Sequence, residues 1–440
     1  MQTEGQTKRL LERVIMLASS SKGTTATATL RGTDGGNTRF AVNEITSSSD
    51  VELLTLSVNV GYGKRSATAT TNQLDDRSID DVVARASRMA RLAPENPEAM
   101  PPLDKQKYIT VKGARDGKTV ELSPSERAKA AFSVISAGDA AKVQIAGYYE
   151  HASKMSAIAS SEGLWAFHAW SSCGLSCTAR TKDATGSGWA NAASNRAADI
   201  DAAAVAKVAV DKAVSSAKAR RLEPGRYTVI LEPAAVANLT SELAAQLGAR
   251  SADEGRSFFS KPGGGTRVGE TLFPNTITLR TDPTDTTLAA SPFDGEGVPL
   301  KPTRWIDKGK LTALTYGRYW AKKQGVAPTG SPDGWVLEGG KATREELIKG
   351  VKRGVLITRF WYIRSLDPQT ILLTGLTRDG TFLIENGAIV APVMNFRFNE
   401  SPVHMLTRAD AMTPTVVTRG MRAPALRTHD FNLASISEAV

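Results

Sequence analysis

Residues 226–259 read RYTVILEPAAVANLTSELAAQLGARSADEGRSFF. Tyr227, Val229 and Leu231 alternate with Thr228 and Ile230, a run rich in β-branched and aromatic residues that predicts a buried strand. Pro233 follows; its fixed φ and missing N–H suit the first turn of a helix. Val236, Leu239, Leu243 and Leu247 then recur at spacings of three, four and four, one face of that helix. Gly248 is the expected C-cap, and 252–259 is expected to form a second short helix.

A hydrolytic metalloenzyme often sets two ligands one turn apart on such a helix, with a carboxylate beside them to activate water. Here the outward positions are Asn238, Thr240, Ser241, Glu242 and Gln246, with no His or Cys. Glu242 could act as a base, but a lone Glu on an amphipathic helix is ordinarily a solvated surface residue. The strand and helix are therefore expected to be scaffold.

With 440 residues the chain is too long for one typical core and should hold two or three domains. Its 41% apolar and 23% charged content is that of a soluble globular protein, and no apolar run is long enough for a membrane span. The first twenty residues have amphipathic helical spacing without a signal-peptide core, so a cytoplasmic location is expected. Cys173 and Cys177 fall in a segment that reads as strand. Positions four apart in a strand are separated by about 13 Å, too far for a disulfide or a shared metal, so both should be free, buried thiols.

The net charge of +10 is uneven. Residues 301–364 hold fourteen Lys or Arg against five Asp or Glu, interleaved with Trp305, Tyr316, Tyr319, Trp320, Trp335, Phe360, Trp361 and Tyr362. These are the ingredients of a nucleic-acid surface or a peptide groove. A solvated sheet face over an aromatic core also accounts for them and is the expected reading, since charge runs are usually solvated faces.

Along the chain, a helix over 10–17 should precede strands at 24–30, 38–46, 51–60 and 66–71, with the first turn at Gly32, Gly35, Gly36 and Asn37. Helices are expected at 78–93, 123–137 and 199–220, and further strands at 143–153, 155–162, 164–181 and 188–193. The four prolines of 94–103 mark a linker. The expected regions are an N-terminal α/β region at 1–112, a strand and helix region at 113–222, and a C-terminal domain at 223–440. The class is α+β, with a helix and strand N-terminal part and a mainly antiparallel β C-terminal domain. In the last region 305–314 and 383–392 each carry apolar arms around an acid-x-Gly turn, the mark of a β-hairpin, and 344–351 reads as a short helix on the sheet rim. Residues 261–266 (KPGGGT) lack the Gly-Lys-Ser/Thr ending and preceding strand of a phosphate loop and read as a flexible loop. No His-Glu-x-x-His and no Gly-x-Ser-x-Gly occurs, and His151, His168, His404 and His429 are scattered.

Residues 291–299 (SPFDGEGVP), 304–317 with Tyr316, 321–325 (AKKQG), 372–375 (LLTG) and 382–393 (FLIENGAIVAPV) together, in this order, resemble the TldD/PmbA (TldD/TldE) family. The resemblance implies a cytoplasmic metallopeptidase system for unfolded peptides, in which a TldD-type subunit pairs with a PmbA/TldE-type subunit. It further implies that the TldD type carries His-Glu-x-x-x-His on the helix after the central strand, with a later Cys, as zinc ligands. The matching helix here, 236–247, has none of these, and no Cys follows Cys177. Among family members the chain is thus similar to the PmbA/TldE type: no catalytic or metal residues and no cofactor of its own, zinc being expected only in a TldD-type partner. The expected partners are that subunit, or a second copy as a homodimer, and an unfolded peptide held by strand addition. Phe293, Asp294, Glu296 and Gly297 are the candidate peptide-binding positions. Two alternatives are an active peptidase with an unorthodox metal site and a nucleic-acid-associated protein using 301–364.

Overall fold

A computed structural model describes residues 2–288, 290–418 and 420–438. Its first half is one long-stranded antiparallel sheet. Helix α1 (Glu4–Ala18) starts with a capping box between Thr3 and Gln6. Strands β1 (Thr24–Ala41), β2 (Glu44–Tyr62) and β3 (Arg65–Thr71) lead to α2 (Asp76–Leu92); after the 94–116 segment come the short α3 (Gly117–Val120) and α4 (Pro124–Ala140). Strands β4 (Val143–Ser160), β5 (Trp165–Thr181) and β6 (Ser187–Ser194) complete the sheet in the order β3-β2-β1-β4-β5-β6, and α5 (Ala202–Ser215) closes this half. Regions 1–112 and 113–222 therefore share a single sheet, joined where β1 pairs with β4.

Side chains of one parity, Ala28, Leu30, Met155 and Ala157 near one end and Phe40, Ile145 and Leu175 near the other, pack under the helices. The opposite parity carries Ile158, Ala166 and His168 and meets the C-terminal half. The sheet thus carries helices on one face and meets a second domain on the other, while 46–53 of β2 is exposed on both sides.

The expected turn at Gly32–Asn37 is not there: β1 runs through it, and the chain reverses at Val42 and Asn43, both with positive φ (52° and 62°). Glycine serves another purpose in this strand. A Cβ on Gly35 would lie 2.2 Å from the His151 carbonyl oxygen, and one on Gly36 would meet the buried Arg127 guanidinium. Likewise 143–153 and 155–162 are one strand, since Lys154 continues the ladder opposite Trp170.

The C-terminal half begins with β7 (Gly225–Leu231), α6 (Pro233–Ala245) and α7 (Ala249–Asp253). Strands β8 (Leu279–Thr281), β9 (Thr303–Asp307), β10 (Lys310–Leu311) and β11 (Trp335–Leu337) follow, with α8 (Arg318–Gln324) between the last two and α9 (Arg344–Lys349) after them. The remainder is β12 (Arg353–Asp367), β13 (Leu372–Glu385), β14 (Ala388–Pro392), β15 (Asn395–Glu400), α10 (Pro402–Thr407), β16 (Ala409–Met412), β17 (Val416–Thr418), β18 (Met421–Ala423) and β19 (Leu426–Ser437). These strands form two sheets. A six-stranded sheet has the order β10-β9-β8-β11-β18-β17; in the other, β12-β7-β19-β15-β13 closes on itself through β12–β13, with β14 attached to β13. Most pairs are antiparallel, but β7–β12 and β11–β18 are parallel.

Helix α6 lies between the two sheets, against β12 on one side and β11, β17 and β18 on the other. This explains why β7 and α6 are so apolar. Val229 and Leu231 join the large core with α6, while Ile230 joins Leu356, Phe382 and Ile384 beneath α9 on the outer face. The helix is more buried than its periodicity suggests: Thr240, expected to face out, is fully buried. Gly248 has an ordinary φ of −67° and is the N-cap of α7, which ends at Asp253 rather than running to 259. Helix 199–220 also shortens, to 202–215, because Asp201 caps it with a bond from the Ala204 N–H.

Both hairpins are present. Lys308-Gly309 (φ 48° and 83°) joins β9 to β10, and Asn386-Gly387 (φ 49° and 77°) joins β13 to β14, each a two-residue turn with both φ positive. Helix α9 opens with a capping box between Thr343 and Glu346, and 261–266 is a loop closed by a bridge between Ser260 and Thr266.

Candidate functional site

The part of α6 that is not packed away faces a cavity of about 590 Å³, lined on the helix side by Ala237, Asn238, Ser241 and Glu242. The opposite wall is 360–364 of β12. Here the ladder with β13 slips between Trp361 and Arg364, and Tyr362 has φ 54°, a left-handed conformation that is costly for a bulky residue. The bulge turns Trp361 and Tyr362 outward, 40% and 63% exposed. The Phe360 N–H donates to Asn238 Oδ1 at 3.3 Å, which ties helix to strand at the bulge.

Trp361 is held from both sides. The Arg359 guanidinium sits 5.5 Å from its ring and 4.7 Å from that of Trp189 on β6; Arg378 lies 5.2 Å from Trp361. Arg359 Nε donates to Asp379 Oδ2 at 2.6 Å, and the other carboxylate oxygen accepts from Ser187 Oγ at 2.6 Å. This buried pair joins the N-terminal sheet to the β12–β13 hairpin behind the cavity. Arg364 stacks 5.2 Å from the Tyr362 ring.

Zinc, which the family resemblance implies for the partner type, does not fit these residues. Ligands spaced as His-Glu-x-x-x-His would stand at i, i+1 and i+5; the cavity-lining residues at that spacing are Ala237, Asn238 and Glu242. They offer a methyl group, an amide whose oxygen is already bonded, and one carboxylate, while Ser241 Oγ donates to the Ala237 carbonyl at 2.7 Å. Among the described residues no group of three or more His, Cys, Asp or Glu is close enough to hold a metal ion.

The histidines are not gathered. His151 is buried; Arg127 can only donate, so its Nη1 gives a hydrogen to Nε2 at 3.0 Å while Nδ1 donates to the Thr119 carbonyl at 2.8 Å. His404 lies beside Glu400, and His429 between Thr228 and Asp410. His168 is buried against Trp170, its Nε2 without a partner among the described residues, and burial lowers its pKa to about 4 although a bond to the Ala290 backbone acts the other way. A depressed histidine pKa means that the folded state holds the neutral ring. Its stabilisation is present above the unfolded value of about 6.5 and is lost as pH falls towards 4, by about 3 kcal/mol. In urea titrations between pH 7 and 4, His168→Leu should lose stability less steeply than the native chain; parallel curves would refute this. Cys173 and Cys177 are free and buried, their thiols pushed up to about 12 by burial, so neither is a nucleophile.

The residues of 293–297 form a junction between the two halves. Phe293 is 4% exposed and packs on Ile158, Leu164 and Ala166 of the N-terminal half, with its ring edge-on to Tyr108 (centroids 5.4 Å apart). Asp294 accepts from the backbone N–H groups of Glu296, Val298 and Ser331. Gly297 has φ 86° and its carbonyl accepts from the Tyr108 hydroxyl at 2.8 Å. Gly295 and Glu296 are exposed, the latter with Arg318 nearby at 3.5 Å. Phe293 and Asp294 also edge a cleft of about 400 Å³ whose far side carries Arg31 and Lys154 of the N-terminal sheet.

The basic side chains of 301–364 are mostly solvated: of the fourteen, all but Arg318 and Arg359 are exposed. Arg304, Arg318, Arg344, Arg353 and Arg359 are ion-paired within the chain, and Trp305, Trp320 and Phe360 are core residues. The bulge that exposes Trp361 and Tyr362, and the burial of Asp379, had no counterpart in the periodicity. The side-by-side aromatics at 361–362 were the available signal, since a strand with one buried face would not ordinarily spend both parities on large rings.

Residues 97–217 match the profile of the PmbA/TldA metallopeptidase central domain, and 224–435 that of its C-terminal domain. The chain is 30% identical over 132 residues to Metalloprotease PmbA of Escherichia coli O157:H7, covering 29% of this chain and 28% of that protein. It is 25% identical over 221 residues to a metalloprotease of Methanothermobacter thermautotrophicus, covering 46% of each. These matches span less than half the length of either relative. The fold is that of TldE from Thermococcus kodakarensis (TM-score 0.87, 20% identity, 97% of this chain and 100% of that one). It is likewise that of a candidate modulator of DNA gyrase from Thermotoga maritima (TM-score 0.86, 19% identity, 97% and 99%).

Proposed function

Because the chain belongs to the PmbA/TldD metallopeptidase family, we propose that it is the zinc-free member of a TldD/TldE-type system, a cytoplasmic subunit that holds unfolded peptide for a TldD-type partner. The observation that carries this reading is the solvent-facing side of α6. At the His-Glu-x-x-x-His spacing this side of the helix offers only Ala237, Asn238 and Glu242, yet it borders a cavity of about 590 Å³ with aromatic walls. Such a cavity is of a size for a few residues of peptide, and among the described residues no cluster of three or more His, Cys, Asp or Glu stands beside it. The chain would therefore contribute binding and enclosure, and its partner the chemistry.

The test is metal content and cleavage of an unfolded peptide by the purified chain, alone and mixed with a TldD-type subunit. Less than stoichiometric metal and no cleavage alone, with cleavage in the mixture exceeding that of the partner by itself, is the expected result. Chelator-sensitive cleavage by the chain alone would replace this reading with that of a peptidase using an unorthodox metal site. A mixture no more active than the partner would remove the partnership.

A further inference from the structure

Glu242 is unusual among the acids of its half. Glu232, at the other end of α6, is committed to Lys212 and Arg344; Glu254, Glu270, Glu338 and Glu400 likewise have hydrogen-bonded or ion-paired partners. Glu242 has none among the described residues, although it is half-buried in the cavity wall. One turn away Asn238 has spent its carbonyl oxygen on the Phe360 N–H, leaving its NH₂ group as a donor. Across the cavity stand exposed Trp361 and Tyr362, held by a bulge whose left-handed tyrosine is the kind of local strain that marks binding sites. Arg364 is also on that wall and makes no ion pair with Glu242.

A carboxylate without a counter-ion facing an aromatic wall is the chemistry of ammonium recognition. We infer that this cavity takes the free α-amino end of an extended peptide: the ammonium on Glu242, a main-chain carbonyl on the Asn238 NH₂, the first side chains along Trp361 and Tyr362, and a later carbonyl or carboxylate on Arg364. Residues four apart on a helix are separated by about 6 Å at Cβ, comparable to the distance from an α-nitrogen to the next residue's carbonyl in an extended chain. An α-amine is preferred to a lysine side chain because only the former carries that carbonyl beside it. Every unfolded chain has such an end, so recognition here places no demand on sequence. This inference rests on the peptide-holding role proposed above.

The test compares a short unstructured peptide lacking Lys and Arg, labelled at its C-terminus, with its N-acetylated twin, by fluorescence anisotropy on the full-length chain in the oligomeric form in which it purifies. Acetylation should weaken binding at least about tenfold, the value of one charge-assisted hydrogen bond. Glu242→Gln, which keeps shape and should not disturb folding, should bind both peptides as weakly as the native chain binds the acetylated one. Equal binding of the two peptides by the native chain would overturn the inference and leave the holding role in place. Persisting discrimination in Glu242→Gln would show that the amine is read elsewhere and would also overturn it. Failure of the native chain to bind either peptide would remove both the inference and the holding role.

Discussion

Asp379→Ala should destabilise the protein by about 3–5 kcal/mol, the cost of leaving a buried charge without its partner. The carboxylate is inaccessible to solvent, and its removal strands the Arg359 guanidinium between Trp189 and Trp361 in a side chain 10% exposed. Ser187 of β6 loses its acceptor at the same time, so the tie between the N-terminal sheet and the β12–β13 hairpin is cut from both ends. Asp379 also has φ 57°, which alanine tolerates poorly, so Asp379→Asn is the necessary companion. Asparagine accepts the left-handed backbone and keeps the shape while removing the charge. Urea unfolding of both variants separates the terms. A loss of less than about 1 kcal/mol in Asp379→Ala would mean that the pair does not hold the two halves together. Because Arg359 also positions Trp361, peptide affinity should fall along with stability.

Phe293→Ala is expected to have an effect of similar size for a different reason. Truncating a fully packed aromatic leaves a cavity and forfeits its transfer energy, together about 3–5 kcal/mol. Phe293 is the part of the SPFDGEGVP stretch that reaches across to Ile158, Leu164 and Ala166. Glu296→Ala, two positions from Asp294 and exposed, should change stability by no more than about 0.5 kcal/mol. The pair of variants also separates two uses of this stretch. If it grips peptide directly, Glu296→Ala weakens peptide binding in a protein of native stability. If its use is to dock the halves, peptide binding weakens only in Phe293→Ala, in proportion to the stability lost.

Features carried by a few adjacent residues could be read before the structure. The β7–α6 junction at Glu232-Pro233, the start of α9 at Arg344 and the two turns at Lys308-Gly309 and Asn386-Gly387 each need only neighbours in sequence, and each is where it was expected. Long-range pairing was not readable. Val229 meets Val355 on one side and Thr428 on the other, partners more than a hundred residues away, and no local pattern records that the strands close into a ring. Glycine misled in β1 because a residue without a Cβ suits both a turn and a close approach; Gly35 and Gly36 are there for the latter. At the cavity, Glu242 was visible as a half-helix-face carboxylate, but its interest comes from having no partner and from the bulge opposite, and both are properties of the assembled fold.

The position of β19 within the ring of strands has a consequence for how the molecule is made. Residues 426–437 lie between β7 and β15, so the ring cannot close until they have emerged from the ribosome. At synthesis rates of about 5–20 residues per second, Leu231 waits roughly ten to forty seconds for Leu426, its partner on β19. The N-terminal sheet, whose strands are all translated by Ser194, can fold in that interval. The apolar β7–α6 segment cannot, and its strand stays without its β19 neighbour until the last strand has been made.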